Sequence, residues 1–342
     1  MDKLYLDYTI EKLRVLISIP SPSGFAAEAG AYAADALSAM GYAPETTQKG
    51  GVLVCLGGSG PGVVLSGHLD TLGAVVAEVK DNGRLRVSPI GGLAINNVEA
   101  ENVCVLTGNG ATYGGTYQLD NPSTHVNLEY RETKRTYDNM EVVLDEMVKT
   151  RDETRALGIE NGDRVTFDPR FKITPSGYIK SRHLDDKLCC AILLAFAKKL
   201  TDEHLTPKRK VYAHFTTYEE VGHGGAANVP ADAAEFIALD MGCVGKGLSC
   251  DETMAAICAK DVGGPYNRET VSALIAAAKN GGVRYAVDVY ASYGSDAGVA
   301  VRAGSDLRHA CVGPGIYASH GYERCHVDGI KNTFELLSAY LL

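Results

Sequence analysis

Short, uninterrupted apolar segments constrain the fold of this chain more than any other feature. Three examples are GVLVCLGG at 51–58, GVVLSGHLD at 62–70 and EFIALDMG at 235–242. Apolar runs of this length, bounded by glycine, are typical of strands that are covered on both faces. Helical patterns alternate with such segments. They lie at about 8–18, in a second stretch that ends at about Met40, and at about 187–200, 268–280 and 327–341. The sequence therefore predicts an α/β fold with a mixed central sheet covered by helices.

The segment between about Leu72 and Pro175 has a different character. It contains short, polar, turn-rich strands, and Asp81-Asn82-Gly83 is a hairpin signal. Only one helix is expected there, at about 136–158. We therefore predict a larger α/β domain formed by residues 1–71 and 177–342. A small β-rich domain at 72–176 is expected to be inserted into it.

Charge and composition exclude several classes of function. The formal net charge is −9 and no basic run is present, which argues against nucleic acid as a partner. No segment reaches the roughly 20 apolar residues of a membrane span, and the first residues lack a signal-peptide core. The nine cysteines are scattered and none forms a CxxC pair, so reduced thiols are expected. These features predict a cytoplasmic protein without a membrane partner.

Acidic residues and histidines follow the points where several predicted strands end. They are His68, Asp70, Asp185, Asp186, Glu219, Glu220, Asp240 and His320. Ligands of open α/β sheets bind outside the carboxyl ends of the strands, so these side chains are expected to converge. Imidazole and carboxylate groups suit zinc and similar ions. Two such ions can activate one water, and a carboxylate that binds neither is then needed to take its proton.

Six motifs give the chain a resemblance to a known family. They are SGHLDTLG (66–73), SRHLDDKLCCAIL (181–193), TTYEEVGHGGA (216–226), ALDMG (238–242), YGSDAGVA (293–300) and ASHGYER (318–324). Their order and spacing resemble metallopeptidase family 42, the glutamyl and deblocking aminopeptidases that include the tetrahedral peptidases. The resemblance implies a zinc-peptidase-like fold, and it implies that the insert at 72–176 is a PDZ-like dimerisation domain. It also implies self-association as a dimer or a twelve-subunit tetrahedron.

The resemblance also implies a role for each residue of the site. His68, Asp185, Glu220, Asp240 and His320 would bind two divalent metal ions, and Asp185 would bridge them. Asp240 would complete the His68 site, and His320 would complete the Glu220 site. The catalytic residues would be Glu219, as general base, and Asp70, which would hold the His68 imidazole. Zinc is the expected metal, with cobalt or manganese as alternatives.

Two positions depart from the family pattern. Lys187 stands where the family usually has arginine, and Gly321-Tyr322-Glu323-Arg324 stands where many members have Ser-Pro after the last histidine. The second departure leaves His326 as an alternative ligand to His320, although a place at the start of a helix is the expected role of His326.

Several neighbouring residues have structural interpretations. Asp186 is interpreted as a helix N-cap or a loop-shaping acid. For Asp296, capping a helix and orienting a metal ligand are both open. His183, His214 and His223 are expected to be structural residues or to lie at the rim of the site.

The predicted activity is that of a two-metal aminopeptidase that releases N-terminal residues from short peptides. An N-acyl-amino-acid deacylase or a carboxypeptidase on the same metal core is the main alternative. A non-catalytic metal-binding assembly protein would lack the base at position 219, which is present. A cellulase-type glycosidase would need two facing acids and no metal.

Overall fold

The computed structural model describes all 342 residues. They divide into two compact units, which we call the sheet unit (Met1–Thr71 and Arg170–Leu342) and the barrel unit (Leu72–Pro169). The sequence-predicted boundary at 176 lies beyond the end of the barrel unit. Lys172–Ile173 pairs with Tyr178–Ser181, so these residues extend the sheet of the sheet unit.

Seven α-helices are present: α1 (Lys3–Ser18), α2 (Ala27–Ala39), α3 (Arg151–Ala156), α4 (Leu184–Asp202), α5 (Arg268–Asn280), α6 (Asp296–Arg302) and α7 (Val327–Leu341). Four of them, α1, α3, α5 and α7, begin at a residue whose side chain accepts a free backbone N–H. Asp2 accepts from Leu4 before α1, and Asn267 accepts from Thr270 before α5. Two short 3-10 turns lie at Ile95–Asn97 and Gly224–Ala226. None of the helices has both the length and the apolar character that crossing a bilayer requires.

Nineteen strands are numbered here along the chain. Those of the sheet unit are β1 (Glu45–Thr46), β2 (Val52–Gly57), β3 (Gly62–His68), β10 (Lys172–Ile173), β11 (Tyr178–Ser181), β12 (Val211–Thr216), β13 (Ala233–Leu239), β14 (Gly242–Val244), β15 (Ala255–Asp261), β16 (Gly264–Pro265), β17 (Tyr285–Val289), β18 (Arg308–Tyr317) and β19 (Glu323–His326). Those of the barrel unit are β4 (Gly73–Val79), β5 (Leu85–Ile90), β6 (Asn102–Leu106), β7 (Thr112–Leu119), β8 (Met140–Leu144) and β9 (Arg164–Phe167).

The sheet unit contains one mixed sheet, as predicted. Its main path runs β1-β2-β12-β3-β13-β18-β19-β11-β10. The four central strands β12, β3, β13 and β18 are parallel, whereas β2 and β19 pair antiparallel with their neighbours. All seven residues of β3 are buried, which agrees with a strand covered on both faces. Because the central strands are parallel, their carboxyl ends lie at one edge of the sheet.

The barrel unit is a closed six-stranded barrel in the order β4-β5-β8-β7-β6-β9. Every strand pair in it is antiparallel. The predicted hairpin is confirmed, since β4 and β5 flank Asp81-Asn82-Gly83 and Gly83 adopts a positive φ of 78°. The likeness of this unit to a PDZ domain stays a prediction.

The helix predicted at about 136–158 is wrong. Residues Met140–Leu144 form β8, which pairs with β7, and only Arg151–Ala156 is helical. Strand formation buries Met140 and Val142 completely in the barrel core. The β-branched pair Val142-Val143 favours this outcome, and tertiary pairing outweighs the local helical pattern.

Candidate metal centre

The candidate site lies where three neighbouring parallel strands end. His68 is the last residue of β3, Glu219 and Glu220 follow the end of β12, and Asp240 directly follows β13. Strand β3 is hydrogen-bonded to β12 on one side and to β13 on the other. The order of the strands therefore brings these side chains together, as the sequence predicted from the ends of apolar runs.

The first group of ligand atoms belongs to His68, Asp185 and Asp240. One atom from each side chain lies within 4.8 Å of the others. Nε2 of His68 is 3.1 Å from Oδ1 of Asp185. All three residues are at least nine-tenths buried. A histidine nitrogen and two carboxylate oxygens form a donor set that suits zinc and related ions.

The second group belongs to Asp185, Glu220 and His320, again with atoms within 4.8 Å. Nε2 of His320 lies 3.6 Å from Oδ2 of Asp185 and 3.6 Å from Oε2 of Glu220. Asp185 is the residue that the two groups share, with one oxygen facing each histidine. Glu219 belongs to neither group, although its Oε2 is 3.9 Å from Nε2 of His68.

Electrostatics set this cluster apart from ordinary ion pairs. Burial, together with neighbouring carboxylates, raises the pKa of Asp240 to about 7 and holds the pKa values of Glu219 and Glu220 well above their usual range. Burial opposes ionisation of Asp185 too, but its hydrogen bond with His68 lowers its pKa. Burial would lower the pKa of His68, yet that hydrogen bond and the surrounding carboxylates raise it. Such buried acids are stabilised by bound cations, so the residues fit divalent metal ions.

Asp70 is fully buried and supports the site from behind. Nδ1 of His68 lies 2.9 Å from the backbone carbonyl oxygen of Asp70 and 3.6 Å from its carboxylate. Donation from Nδ1 leaves Nε2 free to face a metal ion. The carboxylate of Asp70 accepts hydrogen bonds from the backbone N–H of Glu219 and the hydroxyl of Ser23. Asp70 thus holds both the imidazole of His68 and the backbone of Glu219.

The two residues after Asp185 anchor the start of α4. Asp186 is fully buried and accepts the backbone N–H of His68 at 3.1 Å, so it shapes the loop and does not cap the helix. The Lys187 ammonium donates to the carbonyl oxygens of Leu16 and Ile19 at the end of α1. Burial lowers the pKa of Lys187 to about 7. Lys187 therefore ties α4 to α1.

Glu323 contributes to the site in a way that the sequence analysis missed. It is 2% exposed, and its two oxygens accept the backbone N–H groups of Asp185 and His320 at 3.1 and 3.0 Å. Burial raises the pKa of its carboxyl. Glu323 belongs to the divergent segment that follows His320, and an acid in that segment was the available signal. It fixes the backbone of two residues of the second group.

Asp296, for which two roles were open, connects both sides of the Glu219-Glu220 loop. Its carboxylate accepts the hydroxyl of Thr216, which ends β12, and the backbone N–H of Gly225. It is also the first residue of α6, where the preceding Ser295 makes no side-chain cap. Asp296 therefore orients the loop that carries Glu219 and Glu220, and it is not among the grouped ligand atoms.

The remaining histidines lie outside both groups. His326 caps α7 by accepting from the backbone N–H of Asp328, as expected for a residue at a helix start. His214 is buried inside β12, where burial lowers its pKa to about 4. His183 precedes α4 with a positive φ, and His223 stacks on Tyr218.

A cavity of about 510 Å³ opens onto the two groups. Asp185, Glu219, Glu220, Asp240 and His320 line one part of it. Its size falls within the range of small-ligand sites. The acids therefore face a space large enough for a small ligand.

Comparison with known proteins places this geometry in a family. The profile of the M42 glutamyl aminopeptidase family matches residues 50–336. The putative aminopeptidase YhfE of Bacillus subtilis is 39% identical over 335 residues, which cover 97% of each chain. The lysyl aminopeptidase of Pyrococcus furiosus is 28% identical over 56% of this chain and 54% of its own.

Solved structures show the same fold. The Pyrococcus horikoshii TET1 peptidase superposes with a TM-score of 0.86 at 23% identity, covering 97% of this chain and 98% of that one. A TET aminopeptidase from a marine-sediment Thaumarchaeota archaeon gives a TM-score of 0.88 at 18% identity, covering 97% and 95%. The match of the family profile, supported by this fold, shows that the chain belongs to the M42 family of aminopeptidases, enzymes that hydrolyse peptide bonds.

Proposed function

We propose that the protein is a two-metal aminopeptidase in which Glu219 is the general base. The observation that carries the proposal is the position of Asp185, which belongs to both groups of ligand atoms, next to a glutamate that belongs to neither. His68, Asp185 and Asp240 would hold one ion, and Asp185, Glu220 and His320 would hold the other. Two bound divalent ions would supply Lewis-acid polarisation of the scissile carbonyl and a water of lowered pKa.

Glu219 is suited to moving the proton. Burial and the nearby carboxylates hold the pKa of Glu219 above its usual range, which brings a base closer to neutral pH. Its backbone is fixed by Asp70, and Asp296 braces the loop behind it. Glu219 would accept a proton from the attacking water and donate it to the leaving amine.

An ion held by the second group would favour substrates with a free N-terminus. Glu220 and His320 lie at the cavity, and a divalent ion that they hold with Asp185 would supply a binding position for a substrate α-amine. An N-acetylated terminus has no basic amine to bind there. This distinguishes an aminopeptidase from a deacylase, which would need room and partners for an acyl group.

The test is hydrolysis of short peptides, free and N-acetylated, read by mass spectrometry. It is run as purified, after chelation and dialysis, and after addition of zinc, cobalt or manganese. We expect stepwise loss of N-terminal residues from the free peptides, loss of activity on chelation and recovery with metal. Cleavage of the acetylated set alone would indicate a deacylase, release of C-terminal residues a carboxypeptidase, and chelator-resistant cleavage would overturn the metal mechanism.

We also propose that the chain self-associates, from dimers up to a dodecamer, and that the barrel unit provides the contact. The support is the likeness to the TET1 peptidase, which assembles into a tetrahedron or a large octahedral shell. Native mass spectrometry is expected to show an even number of subunits, and a monomer at micromolar concentration would contradict the proposal.

All nine cysteines are unpaired, which supports the expected cytoplasmic location.

A further inference from the structure

The residues that line the cavity at the candidate metal centre form two chemically different sets. The first is the acid cluster with His320, which we call the acid wall. The second, which we call the uncharged wall, consists of Met241, Cys243, Val262, Ser292, Tyr293 and Gly294, and the two other lining residues, Gly222 and Ser319, are also uncharged. The thiol of Cys243 and the phenol of Tyr293 are uncharged at neutral pH, because the ordinary pKa values of these groups are about 8.5 and 10. Away from the acid cluster, the lining of this cavity therefore offers no charged side chain to a ligand.

The proposed function fixes how a peptide enters this space. Its α-amine is held near Glu220 and His320, and its first carbonyl lies beside Glu219. The side chain of the N-terminal residue leaves the same Cα atom as these two groups. Since the main chain would occupy the acid wall, we place the side chain against the uncharged wall.

The chemistry of that wall discriminates between side chains. A carboxylate or an ammonium placed there loses hydration and gains no partner of opposite charge. An aliphatic or thioether side chain gains contacts with Met241, Cys243 and Val262 and buries apolar surface. Gly294 and Ser292 keep the wall open, so the cavity of about 510 Å³ accommodates a residue larger than alanine.

From these observations we infer that the site selects peptides whose N-terminal residue has an uncharged, mainly apolar side chain of the size of leucine or methionine. This inference rests on the proposed function. It assigns specificity to the uncharged wall rather than to the metal ligands. Val262 is the most useful probe because it is 68% exposed at the rim of the cavity, where a longer or charged side chain does not disturb the core.

The experiment compares the metal-loaded wild type with V262K, V262E and the neutral control V262Q. The substrates are tripeptides that differ only in the first residue: leucine, methionine, glutamate or lysine. For the wild type we expect kcat/KM for leucine and methionine to exceed that for glutamate and lysine by about 10-fold or more, the usual discrimination of an apolar pocket. V262K is expected to raise the glutamate-to-leucine ratio by about 5-fold, V262E to raise the lysine-to-leucine ratio similarly, and V262Q to leave both within about twofold, as expected for a rim charge.

A binding measurement gives a readout that does not depend on turnover. Free leucine and methionine are expected to raise the melting temperature of the wild type, whereas free glutamate and lysine at the same concentration are not. Wild-type cleavage that is fastest with glutamate or lysine would overturn the inference but leave the aminopeptidase proposal intact. Unchanged ratios in both charge variants would overturn the role of this wall. Absence of cleavage of every free peptide in the presence of metal would overturn the proposed function and this inference with it.

Discussion

The two ends of strand β13 carry buried acids in opposite electrostatic settings. At its start, Glu235 is 2% exposed and its carboxylate is fully partnered. Arg209 lies 2.7 Å from one oxygen, Thr270 donates at 2.7 Å to the other, and the Tyr340 hydroxyl lies within 3.0 Å of both. This end of the strand ties the sheet to α5 and α7. Glu235 is therefore a structural acid, and Arg209 balances its charge.

At the other end, Asp240 lies among Asp185, Glu219 and Glu220, and the basic side chains paired with this cluster are His68 and His320. Burying acids without balancing charge is costly, and the chain provides no lysine or arginine ion pair to these four carboxylates. Comparison of the two ends teaches that burial of an acid does not by itself identify a metal site. The absence of a lysine or arginine partner beside several buried acids is the informative feature.

The largest expected effect separates the two ends by activity. E219Q keeps the shape of the side chain but removes the proposed base, so kcat should fall by about 1,000-fold. E235Q, at the other end of β13, should keep kcat within about twofold, because Glu235 takes no part in the proposed proton transfer. Steady-state hydrolysis of a free tripeptide measures both variants at saturating metal. Full activity of E219Q would remove Glu219 from the mechanism.

The next effect concerns the two histidines near the C-terminus. H320A should weaken binding of one of the two metal ions by about 100-fold, because a ligand of the second group is lost. H326A is the matched control and should bind both ions normally, since His326 caps α7 and belongs to neither group. Competition with a fluorescent zinc chelator measures both affinities. The reverse result would assign the ligand role to His326.

The third effect reverses the roles of the two ends. E235Q should lower the free energy of unfolding by about 2 kcal/mol, since it breaks a charge-assisted hydrogen bond with Arg209 and leaves other donors poorly paired. E219Q in the metal-free protein should not lower it, because it removes one of several repelling carboxylates. Urea unfolding followed by circular dichroism measures the difference. A larger loss for E219Q than for E235Q would contradict the comparison.

The smallest effect is a pH dependence of the metal-free protein. Burial raises the pKa of Asp240 to about 7 and raises the pKa values of Glu219 and Glu220. Carboxyls with a raised folded pKa bind more protons in the folded state. Their contribution to stability is therefore complete below the unfolded pKa of about 4 and is lost as the pH rises through about 7, at about 1.4 kcal/mol per pH unit for each fully shifted group.

We therefore expect the melting temperature of the chelated protein to fall between pH 5 and pH 8 by more than that of the metal-loaded protein. Bound cations favour the ionised carboxylates and remove this penalty. Differential scanning calorimetry of both forms at matched ionic strength gives the comparison. A melting temperature of the chelated form that stays constant or rises over this range would show that these acids do not control its stability.

Much of this site was accessible from the sequence because it depends on strand ends. His68, Glu219, Glu220 and Asp240 follow apolar runs, and the parallel order of β12, β3 and β13 brings them together. The alternation of helices and strands in the sheet unit was equally readable. These features depend on local patterns and on a general rule for parallel sheets.

The features that were missed depend on tertiary contacts. Glu323 acts through the backbone of Asp185, which lies far from it in the sequence, and no local pattern encodes that hydrogen bond. The pairing of strand β8 with β7 and its burial in the barrel decide its conformation. Because the local sequence shows neither of them, this segment was predicted as a helix. The role of Asp296 stayed open for the same reason, since Gly225 is distant in the chain.

The central claim is that the acid cluster at the end of β13 is a two-metal centre joined by Asp185. Titration of the metal-stripped protein with zinc in a calorimeter, alongside D185N, tests this claim most directly. We predict two ions per subunit for the wild type and weakened binding of both ions in D185N, because Asp185 belongs to both groups. Binding of no more than one ion per subunit, or two unaffected ions in D185N, would contradict it.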